Sequence, residues 1–192
     1  MNKLAEAYII DQVLAGNKML FSRLIDPYNV MAFTLAFRIV GNREDTEEIV
    51  QDAFVKVYEH LGEFRKKSKF STWLYRIIYN TAITHTRKKK VVLQEIDNRF
   101  CPHEDSNPSD ICGFTEEEAG EFVRKALAIL PEEERTIVTL YYLNESGIDE
   151  IHDITGLSKA NIKVKLFRAR KKLQGNIRQI SDAVALYSIN IQ

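Results

Sequence analysis

The segment GIDEIHDITGLSKANIKVKLFRARKKLQ, Gly147 to Gln174, leaves a chain few ways to fold. Ile148, Ile151, Ile154 and Leu157, then Ile162, Leu166 and Leu173, are spaced to bury one side of each of two helices. Gly156 suits the left-handed cap that ends the first helix. Ser158 suits the N-cap that starts the second. So short a turn sends the second helix across the first, the helix-turn-helix arrangement that sets a recognition helix in the DNA major groove. The second helix is basic: Lys159, Lys163, Lys165, Arg168, Arg170, Lys171 and Lys172 follow one another with no acid between them. A basic helix is most often only a solvated face. Here the apolar stripe fixes which side is inward and leaves Lys163, Lys165 and Arg168 outside, so duplex DNA is the stronger reading.

The 192 residues allow one large domain or two small ones, and 45% hydrophobic residues suffice for a real core. The formal net charge of zero hides a segregation. His85 to Lys90, HTRKKK, and the recognition helix are basic, whereas Glu95 to Glu121 is mostly acidic. Local basic blocks attract phosphate whatever the total. No apolar run is long enough to span a bilayer. The start, MNKLAEAYIIDQ, lacks the apolar core of a signal peptide. We therefore expect a cytoplasmic protein without membrane insertion. Cys101 and Cys112, with His103 between them, lack tight metal-ligand spacing and read as reduced thiols.

Helical periodicity predicts helices over residues 4–14, 18–28, 30–40, 45–61 and 71–88. Pro27 falls near the end of the second. Ile49, Val50, Ala53, Phe54, Val57, Tyr58 and Leu61 form one buried stripe. Trp73, Leu74, Ile77, Ile78, Thr81 and Ala82 form the next. Residues 91–114 break the pattern with Pro102, Ser106, Asn107, Pro108 and Gly113 and read as a linker. Helix returns over 115–130. Pro131 at a first helical position, followed by Glu132, Glu133 and Glu134, begins another that runs to 143. The expected fold is all-α: two small helical domains, 1–92 and 115–180, joined by a flexible acidic linker over 93–114, with a tail over 181–192.

A second constellation lies in the first domain. Residues 61–80 read LGEFRKKSKFSTWLYRIIYN. Arg65, Lys66, Lys67, Lys69 and Arg76 interleave with Phe64, Phe70, Trp73, Tyr75 and Tyr79. Unpaired nucleic acid needs this mixture, because cations track phosphates and aromatic faces stack on bases. Asn80 stands one turn from Arg76 and offers an amide to an extruded base edge. The plainer reading makes Phe70, Trp73 and Tyr79 core residues; for Trp73, first in its buried stripe, core packing is the favoured one.

At these residues the chain resembles the bacterial RNA polymerase sigma factors of the extracytoplasmic-function (ECF) subfamily. Glu47 to Lys90 looks like sigma region 2, and Ala126 to Gln174 looks like region 4. The resemblance implies an RNA polymerase subunit that recognises the −35 and −10 promoter elements and promotes melting. Gln51, Asp52, Phe54 and Val55 match the surface that docks on the β′ clamp, and the β flap is a further expected partner. Arg65, Lys66, Lys69, Phe70, Trp73, Arg76 and Asn80 match the part that melts and reads the −10 element. Ser158, Lys159, Lys163, Val164, Phe167, Arg168 and Lys171 match the −35 reader, with Lys163, Val164, Phe167 and Arg168 nearest the bases. Lys159, Lys165 and Arg170 suit phosphates or the domain surface. The linker is implied to thread channels that otherwise hold nucleic acid. An anti-sigma protein is a further implied partner. Two positions depart from the pattern. His152 stands where a small alanine is common, and Val164 where a small polar residue is; the valine methyls suit a thymine methyl instead.

Two other classes of protein share some of these features. A stand-alone helix-turn-helix regulator would bind a palindrome as a dimer, but it leaves the aromatic-basic loop unexplained. A nuclease would need Glu44, Glu47, Glu48 and Asp52 to converge with ligands from elsewhere. His60, His85, His103 and His152 are scattered in sequence, so no enzyme, metal or cofactor is expected.

Overall fold

A computed structural model of the chain describes the backbone of residues 3–96 and 126–189, and side-chain surroundings for 5–89 and 126–175. Helices α1 (Lys3–Leu14), α2 (Leu20–Ile25), α3 (Asn29–Val40), α4 (Arg43–Glu59) and α5 (Phe70–Ile96) form the first lobe. Helices α6 (Glu132–Val138), α7 (Ile148–Thr155) and α8 (Lys159–Ile189) form the second. The described residues contain no strand. The linker with Cys101, His103 and Cys112, and residues 115–125 of the helix expected over 115–130, lie outside them; 126–128 are helical.

Local chemistry sets most boundaries. Gly41 adopts φ 85°, the left-handed conformation that ends α3. Asn42 then caps α4, its side-chain oxygen accepting from the Asp45 N–H at 2.8 Å. Gly156 closes α7 at φ 73°, and Ser158 Oγ accepts from Asn161 N–H at 3.2 Å to open α8. Pro131 is the N-cap of α6 rather than its first helical residue. After Val138 that helix loosens into a π-helical turn over Thr139–Leu143, the kind of irregularity found mostly as a single turn beside functional surfaces.

The α4 stripe buries Ile49, Ala53 and Val57, and Leu61, in the 3-10 turn Leu61–Glu63 that follows α4, continues it inward. The α5 stripe buries Leu74, Ile78 and Ala82, while Trp73 and Ile77 are only partly covered. In the second lobe Ile137, Leu140, Ile151, Ile154, Ile162 and Leu166 close around one another.

The lobes are not separate. Helix α7 packs on α5, α6 packs on α3, and the apolar core runs through both lobes without a break. Lys69, before α5, holds Glu150 on α7 at 2.8 Å. Burial pushes the Tyr79 hydroxyl up, and the nearby Glu133 and Glu132 carboxylates push it further.

Candidate promoter-DNA and polymerase interface

The recognition helix presents its expected face. Ile162, Leu166 and Ala169 are buried, and Lys163, Val164, Phe167 and Arg168 point out, whereas Lys165, expected outside, turns to the protein. Ser158, Lys159, Lys163, Val164, Phe167, Arg168 and Lys171 are all exposed. Phe167 at 67% and Val164 at 45% are unusually open for apolar side chains. Nothing in the fold needs them there, which marks a surface made to be covered. The flanking cations face the protein instead. Lys165 pairs with Glu133 at 2.6 Å and Lys172 with Glu134 at 2.8 Å. Arg170 sits over the Tyr141 and Tyr142 rings and donates to the Tyr142 hydroxyl at 2.6 Å. These three brace α8 on α6 and its π turn. Lys159 reaches Asp149 at 2.5 Å across the turn. His152 bonds through Nδ1 to the Leu157 carbonyl at 2.7 Å, so the larger side chain ties the turn together.

The aromatic-basic stretch divides into a floor and a rim. Phe70 is 1% exposed and lies within 6 Å of the Phe64, Trp73 and Tyr28 rings. It is a core residue with no face open to a base, which corrects its assignment as a DNA contact. Trp73 packs half-buried against Phe64, with ring centroids 5.3 Å apart. Arg65, Lys66, Lys67, Lys69, Arg76 and Asn80 form the exposed rim. Two of these cations are already engaged. Lys66 donates to Asp11 at 2.8 Å, and Lys69 to Glu150 at the same distance. Sequence reasoning found the lysines and missed both carboxylates, because neither is near in sequence.

On α4, Gln51, Asp52 and Val55 are exposed, Val55 at 56%, while Phe54 turns partly into the core. Next to them, the fold groups Asp45, Glu48 and His85, with one ligand atom of each within 4.8 Å of the others. The histidines looked scattered in sequence, and packing α5 on α4 places one beside two acids. Asp45 is already satisfied: its Oδ2 accepts from Lys89 Nζ at 2.6 Å and from Asn42 Nδ2 at 2.7 Å. The grouping reads as a polar seam between two helices.

The Lys89 hydrogen bond, then that of Asn42, holds the Asp45 carboxyl below its ordinary 3.8. A depressed folded value contributes stability that is complete above 3.8 and is lost as pH falls through the folded value. Asp45→Asn is therefore expected to lower the urea midpoint at pH 7 and to lower it less at pH 3. An equal loss at both pH values would remove the ion pair from the account.

A helix-turn-helix with an open apolar-basic face, joined to a helical lobe with a cationic rim over aromatic residues, defines a helical DNA-binding protein of the helix-turn-helix class. Sigma-70 region 2 matches residues 24–91, and Sigma-70 region 4 matches residues 123–173. The chain belongs to the sigma-70 family, in its ECF subfamily, and is an RNA polymerase sigma factor. It is 29% identical over 182 residues to the ECF RNA polymerase sigma factor SigW of Bacillus subtilis, covering 89% of this chain and 96% of that one. It is 28% identical over 188 residues to the ECF RNA polymerase sigma-E factor of Escherichia coli K12, covering 93% and 97%. Among solved structures, RpoE with the anti-sigma factor NepR from Bartonella quintana aligns with TM-score 0.68 at 22% identity, over 82% of this chain and 96% of that one. CnrH with the cytosolic domain of CnrY aligns with TM-score 0.63 at 24% identity, over 91% and 98%. At these identities the structural likeness is one of fold. The region 2 match sets aside the stand-alone regulator. Among the described residues no helix is long and apolar enough to cross a membrane.

Proposed function

We propose that this sigma factor divides its work among three surfaces and two domains, 1–92 and 115–180. The exposed α8 face reads the −35 duplex through Lys163, Val164, Phe167 and Arg168, with Ser158, Lys159 and Lys171 on flanking phosphates. The rim of Arg65, Lys66, Lys69, Arg76 and Asn80, with Trp73 at its edge, handles the melted −10 strand. Gln51, Asp52 and Val55 dock on the β′ clamp, with Phe54 setting the helix surface from beneath, and the second lobe meets the β flap. The chain works in the cytoplasm as a non-catalytic subunit, and an anti-sigma protein is its regulatory partner. The observation that carries this reading is the outward placement of Val164 and Phe167 between exposed cations, on a helix otherwise well packed.

Capture of the purified chain by bacterial core polymerase, followed by run-off transcription on a genomic fragment library, tests it. Stoichiometric capture with new start sites supports the reading. Failure to bind polymerase would sink it. Arg168→Ala is expected to weaken use of promoters with one −35 sequence by about 1–3 kcal/mol, the worth of a base contact. Equal loss on every promoter would reassign Arg168 to phosphate.

A further inference from the structure

The two rim lysines that hold carboxylates take them from outside their own loop. Asp11 lies on α1, 55 residues before Lys66, and Glu150 lies on α7 in the other lobe. Among the described residues, Arg65 and Lys67 of the same loop have no such partner. A lysine ammonium is a compact point charge that donates to a carboxylate or a phosphate oxygen equally at this distance. We infer that Asp11 and Glu150 are DNA-competing carboxylates. Each occupies a lysine that the phosphates of the unpaired strand take over when the promoter opens.

The details of the two contacts differ, and the difference matters. Lys66 has φ 56°, a left-handed conformation unusual for a residue with a side chain, and its side chain lies back on α1. Asp11 belongs to the same lobe, so its competition persists in every state of the chain. Glu150 uses both oxygens. One takes Lys69, and the other accepts the Gly147 N–H at 2.9 Å, capping α7. The carboxylate is thus fixed to the helix-turn-helix. When the second lobe moves away to reach its duplex element, Glu150 leaves with it and Lys69 is uncovered. Engagement of the −35 duplex and access of the −10 strand to the rim become linked through one ion pair. This inference rests on the reading of residues 63–70 as the −10 strand surface.

The test is anisotropy of a fluorescein-labelled oligo(dT) strand with the full chain over a salt series. The variants are Asp11→Asn, Glu150→Gln and the pair together. Glutamine keeps the oxygen that caps α7. Each single change is expected to tighten binding about 1.4- to 5-fold, the equivalent of a surface ion pair of about 0.2–1 kcal/mol. The log–log salt slope should steepen by about 0.7 for each lysine released. The Asp11→Asn gain should vanish when Lys66 is alanine, and the Glu150→Gln gain when Lys69 is alanine. Gains that persist undiminished in those backgrounds would reduce the effect to net charge and overturn the inference. So would unchanged binding in the acid variants while Lys66→Ala and Lys69→Ala weaken it, and in that case the loop would still be the strand surface. If the two alanine variants change neither strand binding nor promoter opening by the polymerase complex, the reading of the loop itself fails.

Discussion

Replacing Phe70 with alanine is expected to unfold the first lobe before any effect on DNA can be read. The ring is almost fully enclosed and joins Phe64, Trp73 and Tyr28 in one aromatic cluster at the start of α5. Truncating a buried phenylalanine costs about 3–5 kcal/mol, through lost burial and the cavity left behind. That is a large share of the roughly 5–15 kcal/mol that holds a typical domain together. Urea denaturation followed by circular dichroism should show a much lower midpoint. Arg76→Ala and Asn80→Ala, on the exposed rim, should leave the unfolding free energy within about 0.5 kcal/mol of the parent and reduce promoter opening. The opposite pattern, an unshifted midpoint for Phe70→Ala with opening lost, would return Phe70 to the DNA surface.

The second large effect concerns the two lobes. In the closed chain α7 lies on α5, and the Lys69–Glu150 pair bridges them at 2.8 Å. The two promoter elements are about 25 base pairs apart, which is about 85 Å along B-form DNA at about 3.4 Å per pair. Lobes that share one core cannot reach both elements at once. Promoter engagement must therefore separate them, at the cost of uncovering apolar surface on α5 and α7. Dyes on cysteines at the exposed Asn17 and Asn161, with Cys101 and Cys112 replaced by serine, report this directly. Energy transfer should be high in the free chain and fall steeply in the polymerase–promoter complex. Transfer that stays high in an actively transcribing complex would mean that the closed packing persists, and that at most one element is read.

Closure also explains why weak promoter binding is expected of the free chain. The α8 face proposed to read the −35 element stays open, since Phe167 and Val164 are exposed in the closed form. Part of the rim cation charge, by contrast, is neutralised by the protein's own carboxylates. One face without the other provides too few phosphate contacts for tight binding at moderate salt.

Most of the described helices, the Gly156 and Ser158 caps and the outward face of the recognition helix were legible in the residues alone. Each depends on neighbours within one or two turns. Gly156 and Ser158 act on backbone groups three or four residues away, and the stripe of Ile162 and Leu166 decides by spacing alone where Val164 and Phe167 must point; the Asn42 cap, which starts α4 two residues before the expected 45, was not read. The rim was legible as composition, but its floor was not. Periodicity could place Trp73 and Phe70 near a boundary and could not say which is enclosed. That depends on Tyr28 arriving from α3's entry turn and on Phe64 folding back.

What the tertiary structure decided has a common physical cause. The partners of Lys66 and Lys69, the company of His85, and the packing of α7 on α5 are contacts between segments far apart in the chain. Burial of apolar faces drives those segments together without regard to sequence distance, and ion pairs then form between whatever charges are left side by side. Local pattern specified that this chain would be two helical units with two nucleic-acid faces. Only long-range packing determined that one unit would close over the other, with its own carboxylates standing where phosphate is expected.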